Sequence, residues 1–185
     1  MVVATKRDDK IVVGLSITDS VVDMSEKDLS LQENLPYWKV KGEKDCYVFC
    51  EDLCFASDLF RYNDYVFRGI TDGNSIIRNV VPKMKELLDG YLQITSDGNW
   101  NTQLLIVKGD KIFTISRYFS VTEVDDFAGL NFEKIAIGCL EESKDMTQEE
   151  SILFASRTIN RMKNRNIFPL IIFDSKTKKH KIYYK

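Results

Sequence analysis

The chain opens with "MVVATKRDDKIVVGLS", and this stretch constrains the fold more than any other. Val2-Val3-Ala4 and Ile11-Val12-Val13 are β-prone runs, and the charged residues 6–10 lie between them. Asp8-Asp9 is turn chemistry, so the stretch predicts an antiparallel hairpin that starts at the second residue. Chain ends fray unless neighbours tie them down, so a strand placed here needs a sheet around it. One reason to build such a start is an amino terminus that belongs to an active site.

The hairpin pattern recurs. "YWKVKGEKDCYVFC" places β-prone runs on either side of a Gly42-Glu43-Lys44-Asp45 turn. "TQLLIVKGDKIFTIS" turns at Lys108-Gly109-Asp110-Lys111, and "FPLIIFDSKTKKHKIYYK" closes the chain as a hairpin of residues 169–173 and 181–184. Further strands are expected over 118–124 and at "FEKIAIGC", while the polar stretch 18–34 is expected to cross the surface.

Helical blocks separate these hairpins. Glu51-Asp52 suits a helix N-terminus, and Leu53, Ala56, Leu59 and Phe60 follow at helical spacing. Ile76, Ile77, Val80, Val81, Met84, Leu87 and Leu88 predict a helix over 74–89, stopped at Gly90, with Pro82 marking a kink or a late start. In "MTQEESILFASRTINRMKNR" Thr147 and Glu150 form a capping box, and Ile152, Ala155, Ile159 and Met162 form a buried stripe. Arg157, Arg161, Lys163 and Arg165 complement the dipole at its C-terminal end. Antiparallel hairpins alternating with helix blocks imply an α+β fold rather than a wound parallel sheet. Two stacked sheets with helices outside would bury most of these apolar faces.

Composition excludes several classes. The 185 residues suit one domain, 1–185, and 44% hydrophobic content supplies a full core without disulfide or metal support. A net charge of −2 gives no general field for nucleic acid or an anionic membrane. The basic residues are uneven, however: residues 157–185 carry nine against one acid, Asp174. That tail is either a nucleic-acid patch or a solvated helix face followed by a charged edge hairpin. No apolar run approaches the ~18 residues of a membrane span and no secretory signal is visible, so the expected location is cytoplasmic. Four cysteines in such a chain read as reduced thiols.

Three segments, taken in order, resemble the proteasome β-subunit and its bacterial relatives, the Ntn-hydrolase family. "VVATKRDDKIVVGLS" is similar to the family's opening hairpin. "LLIVKGDKIFTIS" followed by "FEKIAIGC" is similar to its central hairpin and "AIGSG" segment. "MTQEESILFASRTINRMKNRN" is similar to its "MS-x-EEA" helix and "RD" corner. The resemblance implies a four-layer αββα sandwich of two antiparallel sheets, with subunits that pack through helices and loops.

The resemblance also implies an amino-terminal threonine whose own amine acts as base. The matching position falls at or before Met1. The family's carboxylate position falls near Ser16 and its lysine near Gln32, with Lys39 as the alternative. Cys139 stands at the family's serine, and Asn166 and Pro169 stand at its aspartate and second serine. The stretch from Gly138 to Thr147 looks too short for the helix that the family carries there. These departures point to a non-catalytic protein that self-assembles or binds another protein. The alternatives are an Ntn-type hydrolase activated by processing, and a nucleic-acid binder using the basic tail.

Remaining candidates have plainer readings. Thr5 would become an amino-terminal nucleophile only if four residues of a core strand were removed, and Cys139 as a nucleophile has only His180 as a base. Cys46, Cys50 and Cys54 lack a fourth metal ligand and read as core thiols, so neither metal nor cofactor is expected. Asp125-Asp126 and Glu141-Glu142 read as solvated acids, and Tyr37-Trp38 as core. Ile77, Val81, Leu88 and Trp100 are the interface candidates, because the 74–89 stripe is wide and Trp100 follows the turn-like Asp97-Gly98-Asn99. If Ile159 faces a sheet, Ile159→Asp should unfold the protein or cost at least ~3 kcal/mol in thermal melts.

Overall fold

The computed structural model describes residues 1–16, 35, 37–51, 55–91, 94–131, 133–164 and 166–184. Cys54, Arg165 and the whole 18–34 stretch, Gln32 included, lie outside the described residues. The chain forms two compact units. One comprises Met1–Pro36 with Asp126–Lys185, and the other comprises Tyr37–Asp125.

In the first unit the opening hairpin forms where its residues demand it. β1 (Val2–Arg7) pairs antiparallel with β2 (Lys10–Ser16), in a register running from Val2↔Leu15 to Arg7↔Lys10. Asp8 turns the chain at φ 53°, a left-handed conformation that Asp tolerates. The neighbours that tie down the chain start are β2 on one side of β1 and β8 (Phe127–Leu130) on the other. β9 (Leu170–Asp174) joins β2, and β10 (Lys179–Tyr183) joins β9. The resulting order is β10-β9-β2-β1-β8.

Two helices pack on one face of this sheet. α5 (Gln148–Lys163) starts with the capping box expected from its sequence: Thr147 accepts from Glu150 N, and Glu150 reaches back to Thr147 N. Its Ile152, Ala155 and Ile159 join Val3, Val12, Leu170 and Ile172 in one apolar cluster. Met162 does not complete that stripe. It is 62% exposed in the last helical turn, although helical spacing puts it on the same side as Ala155.

The second helix corrects the strand expected at "FEKIAIGC". Glu133–Glu142 is α4, and the strand of this region is β8, ahead of it. A short apolar run can be helix or strand. Here Ala136, Cys139, Leu140 and Ser143 are buried at helical spacing, and that decides the matter. The helix thought to have no room between Gly138 and Thr147 is therefore present, and it begins before Gly138.

The second unit is built on the sheet β3 (Tyr37–Lys39), β4 (Cys46–Cys50), β5 (Leu104–Lys108), β6 (Lys111–Ile115) and β7 (Val121–Val124), antiparallel and in that order. α1 (Phe55–Tyr62) follows β4. The helix expected over 74–89 is compound: a first turn α2 (Gly73–Ser75), a π-helical turn at Ile76–Val80, then α3 (Val81–Gly90). Pro82 sits in the first turn of α3, where its missing N–H costs little, so it marks a late start. Asp72 caps this compound helix by accepting from Ser75 N at 2.7 Å.

The core of this unit overturns three of the four interface placements. Val81, Leu88 and Trp100 belong to its apolar cluster, and Trp100 is only 1% exposed. The loop carries Trp100 inward, where it stacks on Phe119 at 5.8 Å and meets Phe60 edge-on at 5.5 Å. Its indole N–H donates to Ser116 O at 3.0 Å. Ile77 alone of the four is on the surface, 53% exposed.

Gly14 sets how closely α5 approaches the first sheet. A Cβ at this position would lie 2.3 Å from Ile152 Cγ2. Gly14→Ala should therefore cost roughly 1–3 kcal/mol by overpacking. In an Ile152→Ala background that cost should largely vanish, which a double-mutant cycle in urea would detect.

Candidate functional site

Thr5 lies in the middle of β1, opposite Val12 on one side and Phe127 on the other. Alternation puts it on the same sheet face as Val3 and Arg7, the face that α5 covers. It is 0% exposed, and its Oγ1 has no hydrogen-bond partner in the structure. Its carbonyl accepts from Gln148 Nε2 at 2.9 Å, and the same amide donates to Lys10 O at 3.1 Å. The nitrogen of Thr5 is a peptide amide and no base touches its hydroxyl. The four residues before it are ladder and core: Val2, Val3 and Ala4 pair on both sides, and Met1 O accepts from Ser16 N at 3.0 Å. Ser16, at the resemblance's carboxylate position, is a buried hydroxyl.

Arg7 locks the same face at its far end. Its guanidinium donates to Ser143 O at 3.3 Å, to Ser151 Oγ at 3.1 Å and also to Met146 O. The turn between α4 and α5 is thereby pinned to the strand that carries Thr5. Neither Gln148 nor Arg7 stands out in the sequence, because each works by bonding backbone carbonyls remote in the chain.

Cys139 and Lys39 sit elsewhere. Cys139 is buried in α4, and its carbonyl accepts from Ser143 Oγ at 2.7 Å. His180, on β10, stands opposite Phe173 of β9. Asn166, at the position of the family's aspartate, spends its side chain on a local turn, with Oδ1 accepting from Phe168 N at 3.3 Å, and the Phe168–Pro169 peptide is cis.

Lys39 is exposed on β3, opposite Tyr47, and lines an open groove of about 550 Å³ at the β3–β4 turn with Val40, Lys41, Gly42, Glu43 and Lys44. Glu43 is the fixed charge of this groove. Lys108 Nζ lies 2.5 Å from one oxygen, and Gly69 N donates to the other at 2.8 Å. Lys108 first, then the Gly69 amide, hold this carboxyl below the usual carboxylate range. Nearby, Asp64 accepts from Lys41 N at 2.7 Å and pairs with Arg68 at 3.6 Å.

Two of the three cysteines expected in the core, Cys46 and Cys50, are buried, and Cys54 lies outside the described residues. Burial on β4 pushes the Cys46 thiol up to about 12, so it is unreactive at neutral pH. Among the described residues no cluster of three or more His, Cys, Asp or Glu side chains could hold a metal ion. The acids at 125–126 and 141–142 are exposed. Charges of the basic tail are partly matched within the first unit: Lys176 pairs with Asp9 at 2.6 Å and Lys181 with Glu149 at 3.0 Å. Among the described residues no helix is long and apolar enough to cross a membrane.

The two antiparallel sheets and their helices have the proteasome-like Ntn-hydrolase fold. Among solved structures with this fold is BPH of Thiobacillus denitrificans in complex with epoxomicin, with a TM-score of 0.69 at 15% identity over 94% of this chain and 96% of that one. Anbu, the ancestral beta-subunit from Yersinia bercovieri, has a TM-score of 0.60 at 15% identity over 100% of this chain and 87% of its own. Eukaryotic HslV from Trypanosoma brucei has 0.58 at 9% identity over 94% and 97%. No protein-family model and no curated protein matches the sequence.

The Glu43–Lys108 pair gives the groove a measurable signature. A depressed folded-state pKa stabilises the protein above the unfolded value and ceases to do so as pH falls through the folded one. Glu43→Gln should thus cost roughly 1 kcal/mol at neutral pH, and the gap to the wild type should close in melts below about pH 4.

Proposed function

We propose that this chain is a proteasome-subunit-like protein, folded as one domain, that works by self-assembly rather than by threonine-peptidase chemistry. The observation that carries this reading is the state of Thr5: buried, flanked by peptide bonds, and preceded by four ladder and core residues. Lys39 and Cys139 share no hydrogen bond with it and stand on different elements. Support for one domain comes from the match to the Thiobacillus protein, which spans 94% of the chain and therefore runs through both units. Support for assembly comes from the fold itself, which the ancestral beta-subunit shares. Its partner is a second copy of the chain, and its setting is the cytoplasm.

One observation favours a second reading. A buried threonine hydroxyl without a partner is costly, and removal of residues 1–4 would give it an amine neighbour. The protein would then be an Ntn-type hydrolase activated by processing.

Three measurements separate the readings. Intact mass of the purified protein should correspond to a start at Met1 or Val2. Light scattering at micromolar concentration should give a multiple of the monomer mass. Fluorogenic peptides should not be turned over, and epoxomicin should leave the mass unchanged. A start at Thr5, with turnover that Thr5→Ala abolishes, would overturn the non-catalytic reading.

A further inference from the structure

α5 has a second face that, among the described residues, nothing covers. Glu150, Phe154, Arg157 and Arg161 fall within about 60° of one another around the helix axis. They point away from the buried Ile152, Ala155 and Ile159. All four are exposed, including the large apolar side chain of Phe154 at 41%. Arg157 and Arg161 are a like-charge i,i+4 pair, an arrangement that destabilises an isolated helix. Among the described residues neither side chain has an ion pair or a hydrogen bond. Glu150 is charged, and its capping bonds to Thr147 use only one carboxylate oxygen, Oε2.

The spacing of this stripe reads the same from either end. Glu150 and Phe154 are four residues apart, as are Arg157 and Arg161. In an antiparallel pair of α5 helices centred between Ala155 and Ser156, an acid on one copy faces a base on the other, and an aromatic faces a guanidinium. We propose that two copies of the chain meet through this face, related by a two-fold axis. Glu150 pairs with the partner's Arg161, and Phe154 packs against the partner's Arg157. The two-fold repeats each contact, giving two ion pairs and two cation–π contacts. The charge pattern selects a second copy as the occupant, since the face complements itself. The contact also relieves the Arg157–Arg161 repulsion that the single chain leaves in place. The proposal rests on the self-assembly reading above and names the surface that serves it.

Sedimentation of the full chain over a concentration series tests it. Arg161→Glu should raise the dissociation constant about tenfold or more, because two attractions become two repulsions. Phe154→Ala should weaken association about threefold or more through lost cation–π and apolar contact. The charge swap Glu150→Arg with Arg161→Glu should return the constant to within about threefold of wild type. Glu150→Arg also removes a cap, so melting temperatures are recorded for each variant; a lost cap weakens a helix and cannot restore association. If the wild type associates and Arg161→Glu and Phe154→Ala leave its constant unchanged, the α5 face is not the contact, although self-assembly stands. A wild type that is monomeric at every concentration overturns both.

Discussion

The contact between Gly14 of β2 and Ile152 of α5 is the constraint on which the first unit depends. A helix can lie this close to a sheet only where the strand offers no side chain, and Ile152 fills the space with its branched carbon. Once α5 is seated there, Gln148 reaches the carbonyls of Thr5 and Lys10 across the opening hairpin. Arg7 reaches the α4–α5 turn in the same way. Apolar burial supplies the driving force, and these polar bridges fix the axial position of the helix against β1 and β2.

The same sheet shows what holds the opening strand in place. What holds β1 is a backbone ladder with β2 and β8, and a ladder is indifferent to the identity of any single side chain. A threonine nucleophile needs a free amine and space for a substrate. Thr5 has a peptide nitrogen and a covering helix instead. The fold shared with BPH, HslV and Anbu rests on the backbone ladder, and a fold by itself assigns no activity.

α5 divides its residues between two tasks. One face anchors the sheet, and the opposite face presents acid, aromatic and two arginines in a pattern that reads alike in both directions. Its flank is occupied as well: Glu149 pairs with Lys181 and accepts from Tyr183, tying the helix to the edge strand β10. Charges that looked like an unopposed basic tail are in part answered by these acids. Among the described residues Arg157 and Arg161 have no such acid beside them.

The sequence by itself determined the hairpins, the capped α5 with its buried stripe, the α+β class and the resemblance that proved to be the fold. Those features are written in local periodicity and turn chemistry, such as Asp8-Asp9, Gly109-Asp110 and the Thr147–Glu150 box, and local physics suffices to form them. Only the tertiary structure decided that "FEKIAIGC" is helical, since a short apolar run fits either period until its neighbours choose the buried side. Tertiary structure also took Trp100 into the core by giving its indole N–H an acceptor and its ring two aromatic neighbours. It left Met162 and Ile77 exposed. The candidate site was least legible, because a residue's chemistry depends on which remote groups surround it. Thr5 is an ordinary threonine in the sequence; its burial beneath α5 and its unpartnered hydroxyl exist only once the helix has docked.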